Sequence, residues 1–271
     1  MDGDKMNYAT SLFFTAIATL SPRLQKLQSG KAIRAAFKAG APYSTLEGAI
    51  TEMWNIRPSI VLANIITGGL GNPSKMPGRA YGFSAAECIL GAKLSKLPGT
   101  VCSSCYAQKG RYIFENVVAC HARRFASLNR KLWIDAMTFL ISKQCAKMPF
   151  FRWHDSGDIQ SVAHLLRIAK VCEATPSVKH WIPTREYKIV SDYISAGYLI
   201  PENLQIRLSI HKVDNFRLPE IKGAKVTFSS VSDKKSAPEF AEKCPAPLQD
   251  GECGNCRNCW ESVLLVDYHI H

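Results

Sequence analysis

Seven of the ten cysteines stand in two groups whose spacing suits metal binding. The first group is Cys88, Cys102 and Cys105, in a C-x13-C-x2-C arrangement. A C-x2-C pair brings two sulfurs to one metal from a single turn, and Cys88 can return to that metal from across the loop. Three thiolates leave one coordination position open. On zinc this position takes water or a fourth side chain, and on a four-iron cluster it is the iron at which a cofactor can bind.

The second group lies in the Gly-, Asn- and Pro-rich stretch "CPAPLQDGECGNCRNCW" and has the pattern C-x8-C-x2-C-x2-C, formed by Cys244, Cys253, Cys256 and Cys259. Four thiolates make a closed site, which we predict to hold zinc or an iron-sulfur cluster, since both accept four sulfurs. His269 and His271 are weaker candidates as ligands, because chain ends fray. The remaining cysteines lie on helical segments and are predicted core residues: Cys120, Cys145 and Cys172.

The decapeptide "FRWHDSGDIQ" (residues 151–160) begins as a buried strand and ends in a cluster of polar groups. Polar side chains also follow the next three predicted strands, at residues 184–186, 209–211 and 229–230. In parallel α/β folds the carboxyl edge of the sheet is where sites are built, so "HDSGD" lies where chemistry is expected. The alternative is a simple strand-to-helix turn in which Ser156 or Asp158 caps the next helix.

The elements that must position these residues follow from hydrophobic periodicity. Residues 1–57 read as a helical lead-in, "SIVLANII" (59–66) as a buried strand, and residues 115–147 as two helices broken near Asn129. After residue 149, predicted strands alternate with helices, as in "FFRWHD", "SVAHLLRIAKVCEA", "VKHWIPTR", "EYKIVSDYISAG", "NLQIRLSIH" and "AKVTFSSVS". This order implies parallel strands with right-handed crossovers. We predict an α/β fold, a TIM-like partial barrel over 58–240 with a cysteine loop at 88–110, followed by a metal-binding segment at 241–271.

Composition narrows the class of protein. The chain has 271 residues, 46% of them hydrophobic, which is ample for a packed core. No apolar run reaches the roughly 20 residues of a membrane helix, and the apolar stretch at residues 11–20 has no basic flank typical of a secretory signal. We therefore expect a cytoplasmic protein, where cysteines serve as metal ligands more often than as disulfides. The formal charge of +12 indicates DNA or RNA as a partner, although a basic enzyme with a small substrate explains it equally well.

Four segments in order resemble a family common in phages and prophages, the gene product eighty-eight domain. They are "CYAQKGRY", "FRWHDSGDIQS", "HWIPTRE" and "CGNCRNCW", and the resemblance runs from about residue 59 to the end. The resemblance implies a phage-type protein that works in the host cytoplasm. It also implies an architecture, but it does not imply an activity.

The segment from Cys88 to Gly110, followed by strand, "SGD", helix and a strand ending in "TR", resembles radical S-adenosylmethionine enzymes. The resemblance implies a 4Fe-4S cluster on the first cysteine group and S-adenosylmethionine bound to its free iron. Ser156, Gly157 and Asp158 would then face the cofactor's amino group, with Thr184 and Arg185 at the next strand end completing the cofactor-binding and catalytic residues. The C-x3-C-x2-C spacing usual in those enzymes is stretched here to thirteen residues on its first arm.

Two other interpretations remain open. "DSGDIQ" is similar to the "DSGGFQ" of tRNA-guanine transglycosylases, which implies an enzyme that inserts deazaguanine into phage DNA. Asp155 would then act in base recognition and proton transfer, Gln160 would bond the base, and Asp214 or Asp233 would be the nucleophile. The third interpretation is a non-enzymatic, zinc-stapled nucleic-acid-binding protein, whose stacking and phosphate contacts would be Trp153, Trp181, Tyr187 and Arg185.

Overall fold

The computed structural model of the protein describes residues 22–270 except 222, 224 and 225, so the expectations for residues 1–21 and for His271 lie outside the described residues. The chain divides into two compact units between Ile66 and Thr67. The first unit contains helices α1 (Pro22–Lys38) and α2 (Tyr43–Ile56), in agreement with the predicted helical lead-in. Among the described residues, no helix is long and apolar enough to cross a membrane.

The strand predicted at residues 59–66 is wrong, because this segment is helix α3 (Ile60–Thr67). Its first turn is capped by Ser59, whose hydroxyl accepts a hydrogen bond from the amide of Leu62. It ends at Thr67 and is followed by Gly68, which adopts a φ of 81° that favours glycine. A short apolar run has no periodicity that separates a buried strand from a buried helix, and here the helix-capping residues decide.

The second unit is built on a parallel sheet of seven strands: β1 (Arg79–Tyr81), β2 (Phe150–Trp153), β3 (Lys179–Thr184), β4 (Leu204–Ser209), β5 (Thr227–Ser232), β6 (Glu242–Lys243) and β7 (Leu265–His269). The spatial order is β1-β2-β3-β4-β5-β7-β6. Because the first five strands are added in sequence order on one side, right-handed crossovers place their connecting helices on one face. This winding is compatible with a TIM-like fold and differs from a doubly wound sheet.

All but the first of the connecting helices lie where periodicity predicted them, whereas α4 lies inside the predicted cysteine loop. They are α4 (Ile89–Leu94), α5 (Glu115–Ser127), α6 (Trp133–Gln144), α7 (Val162–Glu173) and α8 (Tyr187–Ser195). The break near Asn129 separates α5 from α6, as expected. One face of the sheet packs against these helices in the main core, with fully buried Tyr81, Phe151 and Trp153 from the strands and Trp133 and Leu165 from the helices.

The opposite face of the sheet, called here the inner face, carries polar and aromatic side chains. Parallel register places Arg152 beside Trp181 and aligns Pro183 with Arg207 on this face. The C-terminal segment covers part of it, because Trp260 packs edge-on against Trp181 with ring centroids 5.1 Å apart. Residues 241–271 also contribute β6 and β7 to the sheet, so the cysteine-rich segment is integrated into the second unit.

Candidate functional site

The first cysteine group lies over the carboxyl ends of the strands. Cys88 directly follows a short 3-10 helix after β1, and burial raises the pKa of its thiol to about 12, with further contributions from nearby Asp158, Cys105 and Cys102. Burial likewise raises the pKa of Cys102, which lies close to Arg185, Cys105 and Asp158. The three cysteines therefore lie near one another and near the residues that follow β2 and β3, although in the described residues they are not at metal-ligand spacing.

Two side chains from the strand ends hold the backbone on either side of Cys88. The amide nitrogen of Gln160 donates a hydrogen bond to the carbonyl of Glu87 at 2.9 Å. The amide of Leu90 donates to the carboxylate of Glu186 at 2.7 Å. Cys88 thus lies between a contact from the segment after β2 and a contact from the end of β3.

The other arm of the cysteine loop is fastened to the segment after β4. The amide of Val101 donates to the carbonyl of His211 at 2.9 Å, and the amide of Val213 donates to the carbonyl of Gly99 at 3.0 Å. Thr100 caps the 3-10 helix that contains Cys102. The loop is consequently anchored to three successive strand ends. The positions of its thiols therefore depend on the whole carboxyl edge of the sheet.

Gly91 leaves space beside the thiols. A Cβ atom at this position would lie 2.8 Å from the Cβ of Cys88, 3.5 Å from its sulfur and 3.9 Å from the sulfur of Cys102. The first of these distances is shorter than Cβ contacts in folded proteins allow. Glycine therefore keeps open a cradle between two of the predicted ligands, an arrangement that fits a bound metal or cluster.

Asp158 joins the ends of β2 and β3. Its Oδ1 accepts hydrogen bonds from the hydroxyl of Thr184 at 2.6 Å and from the amide of Ile159 at 2.8 Å, and its Oδ2 accepts from the amide of Arg185 at 2.9 Å. Burial raises the pKa of this carboxyl to about 6. Thr184 supports Asp158, while its own oxygen accepts from the amide of Glu186 at 3.0 Å. Oδ2 keeps acceptor capacity for a further donor.

The "HDSGD" turn presents buried polar atoms that have no hydrogen-bond partner among the described residues. These atoms include Asp155 Oδ1 and Ser156 Oγ, and Arg185 Nε, directly after β3, likewise has no partner among the described residues. Gly157 adopts a φ of 79°, and a Cβ there would lie 2.6 Å from the ring of Phe83. Buried polar atoms without partners are costly, so this cluster suits a polar ligand.

The cysteines of the second group also lie near one another. Burial raises the pKa of Cys253, and the nearby thiols of Cys244 and Cys256 raise it further. Burial raises the pKa of Cys259 to about 11, with Cys244 among its neighbours. The amide of Cys253 donates to the carbonyl of Lys75 at 2.9 Å, which fastens the segment to the chain ahead of β1.

Three guanidinium groups surround this second group. Arg207 is fully buried and donates to the carbonyls of Phe228, Val263, Asn258 and Glu261. Arg152 lies over the ring of Trp181, and Arg257 over the ring of Phe150. All three lower the pKa of Cys253 or Cys259. Within the described residues no carboxylate forms an ion pair with any of them.

This charge distribution fits a metal held by thiolates. Four thiolates on a divalent cation carry a net negative charge, which would balance guanidinium groups that have no carboxylate partner. In the part of the chain that the structure describes, no group of three or more Cys, His, Asp or Glu side chains is already arranged at metal-ligand spacing. Burial raises the pKa values of these thiols, so a metal that binds here would have to displace their protons.

The other predicted site residues are buried or make contacts within the fold, or lie away from the two cysteine groups. Asp214, in the segment after β4, accepts from the backbone amides of Asp233, Lys234 and Lys235 and so holds the turn after β5. Trp153 is fully buried and Trp181 is only 6% exposed, so neither offers a face for a nucleic-acid base. Tyr187 stacks on the ring of His211. His269 is exposed on β7, whereas Cys145 and Cys172 are buried as predicted.

Sequence reasoning missed Arg207 and the structural use of Glu186. Arg207 occupies a polar position of the alternating strand "NLQIRLSIH", so the pattern predicts an exposed side chain and gives no signal that it is buried. Glu186 follows directly after "TR", but its contact with Leu90 spans 96 positions and has no local signature.

The sequence profile of the family described as gene product 88 matches residues 77–262, which is more than half of the chain. The chain therefore belongs to the gene product 88 family. No curated protein and no solved structure shows significant similarity to it.

Proposed function

We propose that this chain is an iron-sulfur enzyme of the radical S-adenosylmethionine type, with Cys88, Cys102 and Cys105 as the cluster ligands. One observation carries the proposal. The cysteine loop follows β1 and is tied by Gln160 and Glu186 to the segments after β2 and β3, so three thiols lie beside the "SGD" turn. Gly91 provides the space between two of these thiols.

The cluster would supply the electron that cleaves S-adenosylmethionine reductively. The chain's own residues would bind and orient that cofactor. Ser156 Oγ and Arg185 Nε are buried and unpartnered within the described residues, and they suit the cofactor's amino and carboxyl groups. Asp158 Oδ2 has room for one more donor, and an ammonium group there would favour the ionised carboxylate against the burial that raises its pKa.

The second cysteine group would hold a closed metal site of four thiolates, zinc or iron-sulfur. Arg207 on β4 supports this assignment. Its guanidinium donates hydrogen bonds both to the carbonyl of Phe228 on β5 and to the carbonyls of residues 258 and 261, and it lies near Cys259. The role would be structural: the metal would fix the C-terminal segment against the inner face of the sheet.

Base exchange of the transglycosylase type is the second candidate, and Asp155 is the observation that favours it. Its Oδ1 is buried at a strand end with no partner among the described residues, as a carboxylate waiting for a polar substrate would be. Gln160, the residue that would bond the base, already donates its amide nitrogen to the carbonyls of Glu87 and Asp158. The radical proposal uses that contact, whereas base exchange would have to break it.

Two variants separate the candidates. Cys102→Ala should lower iron by one cluster and abolish release of deoxyadenosine under a reductant, while Asp155→Asn should keep both. Under base exchange, Asp155→Asn should abolish incorporation of labelled guanine, because an amide cannot take up the proton that a carboxylate can. Cys120→Ala, which removes a thiol outside both groups, is the matched control. Folded, iron-loaded protein that cleaves no S-adenosylmethionine would overturn the radical proposal.

A further inference from the structure

The segment from Cys88 to Phe114 is a basic surface at the mouth of the candidate site. It contains four basic residues and no acidic one: Lys93, Lys96, Lys109 and Arg111. All four side chains are exposed. The net charge of +12 is therefore concentrated in part on the loop that carries the first cysteine group, although the sequence has no continuous basic run.

The same segment exposes large apolar and aromatic side chains. Tyr106 is 52% exposed, Phe114 is 57% exposed and Ile113 is 63% exposed. Basic residues interleaved with exposed aromatic rings are the composition of surfaces that bind single-stranded nucleic acids, where phosphates meet cations and bases stack on rings.

Tyr106 has the geometry of a fixed stacking platform. Its hydroxyl donates to the carbonyl of Asp155 at 2.7 Å and accepts from the guanidinium of Arg152 at 3.1 Å. Its ring makes an edge contact with Tyr112, with centroids 5.6 Å apart. Half of the side chain nevertheless remains exposed. The ring is thus held at its polar end, directly after Cys105 and against the "HDSGD" turn.

We propose that the cysteine loop is the docking surface for single-stranded nucleic acid, with phosphates on Lys109 and Arg111 and a base stacked on Tyr106. A nucleotide held there would lie next to the cysteine site, which makes a nucleic-acid strand the substrate class. The inference that the strand is a substrate rests on the proposed function, which identifies the cysteine site as catalytic. A single strand is favoured over a duplex because a stacking platform needs bases that are free of their neighbours.

The test measures binding of fluorescein-labelled 20-nucleotide DNA and RNA strands to anaerobically reconstituted protein by anisotropy, over a range of KCl concentrations. The double variant Lys109→Ala/Arg111→Ala should bind about tenfold more weakly and lower the salt slope by about 1.4, since each lost phosphate contact on a single strand contributes about 0.7. The matched control Lys147→Ala/Lys170→Ala removes the same charge before β2 and before β3, near the amino edge of the sheet, and should bind as the parent does.

Two further variants test the platform. Tyr106→Ala should weaken binding about tenfold, because base stacking on an aromatic ring is lost. Tyr106→Phe keeps the ring and loses only the hydroxyl contacts, so it should restore most of the affinity. Equal losses in both variants would mean that the hydroxyl acts structurally and would overturn the stacking assignment.

Other occupants of the surface give different results, each of which would overturn the proposal. A duplex that binds as tightly as a single strand would indicate backbone recognition alone. Sedimentation with phosphatidylserine vesicles, lost in Lys109→Ala/Arg111→Ala, together with no strand binding would indicate a membrane surface. A doubled mass in solution that Phe114→Ala abolishes, together with no strand binding, would indicate a second copy of the chain. Strand binding is measured independently of S-adenosylmethionine cleavage, so loss of either one leaves the other proposal standing.

Discussion

The carboxylate of Glu186, at the end of β3, accepts a hydrogen bond from the backbone amide of Leu90, in the first turn of α4, at 2.7 Å. Glu186 is only 7% exposed, so this contact is shielded from water. Helix α4 has six residues and begins directly after Cys88. A helix this short cannot form alone, and a capping carboxylate from a distant strand stabilises its free amide groups. The position of Cys88 is therefore decided by a contact across the sheet edge.

Glu186→Ala should detach this cap and loosen Cys88. We expect the free energy of unfolding to fall by about 1–2 kcal/mol, the usual effect of losing a helix cap, and iron uptake by the first cysteine group to fall with it. Glu186→Gln retains an acceptor and should lose less than half as much of both. Iron per chain and denaturant unfolding are the measurements. Glu173→Ala, on an exposed part of α7, is the control, and an equal effect there would contradict the capping role.

Gly91→Ala should close the cradle between the thiols. The new methyl carbon would lie 2.8 Å from the Cβ of Cys88, which cannot move without shifting α4. We expect reduced iron occupancy after reconstitution and a lower free energy of unfolding. Gly48→Ala, in α2, has no atom within 4 Å of its new Cβ and should instead stabilise its helix by about 0.5–1 kcal/mol. Iron occupancy in Gly91→Ala equal to the parent's would show that the space is not needed.

Arg207→Lys should release the C-terminal segment from the inner face. An ammonium group cannot reach the four carbonyls that the guanidinium of Arg207 joins, and this site is fully buried. We expect a loss of about 3 kcal/mol or more in the free energy of unfolding, together with faster proteolysis near residue 250. Arg123→Lys, on the exposed side of α5, should change neither quantity. Proteolysis at the parent's rate in Arg207→Lys would count against the clamp.

Cys253→Ser should remove metal from the second cysteine group and leave the first loaded. A hydroxyl does not replace a thiolate as a ligand, and a closed site that loses one of four ligands loses most of its affinity. Elemental analysis of zinc and iron, before and after a chelator, measures the effect. Cys120→Ser serves as the control because this cysteine belongs to neither group. Metal content unchanged in Cys253→Ser would remove this cysteine from the ligand set.

His180 should make folding sensitive to acid. Thr175 donates its hydroxyl proton to the carbonyl of Val171, so it accepts from His180 Nε2, and His180 Nδ1 accepts from Trp153. Burial lowers the pKa of this imidazole to about 3, so the unfolded chain binds the proton more readily below pH 6.5. The contribution of neutral His180 to the free energy of unfolding is complete above pH 6.5. It decreases as the pH is lowered and is smaller by about 2 kcal/mol at pH 5.

His180→Gln can satisfy the same two neighbours without taking up a proton, so unfolding of this variant should depend less on pH between 7 and 5. Denaturant unfolding at both pH values measures the difference. His269→Gln, which changes an exposed histidine on β7, should keep the parent's pH dependence. An identical slope in His180→Gln and the parent would show that this histidine does not link folding to pH.

Much of the architecture could be predicted from the sequence because its signals are local. Periodicity of 3.6 residues located α5, α6 and α7, and the alternation of strand and helix after residue 149 predicted a parallel sheet. The polar residues after each strand predicted an edge where Asp158, Thr184 and Arg185 meet, and they do meet there. Cysteine spacing predicted two sets of metal ligands, and these sets stay predictions, because no group of three or more such side chains at metal-ligand spacing is found among the described residues.

Only the tertiary structure could decide the rest. The apolar run at 59–66 has no periodicity of its own, so capping and packing made it helix α3. Asp158 was expected either to contact a cofactor or to cap the next helix, yet three hydrogen bonds make it the link between two strand ends. The contacts of Glu186 with Leu90, and of Arg207 with residues 258–263, join positions far apart in the chain. Such contacts form only when folding of the sheet brings distant segments together. For that reason no local sequence pattern predicts them.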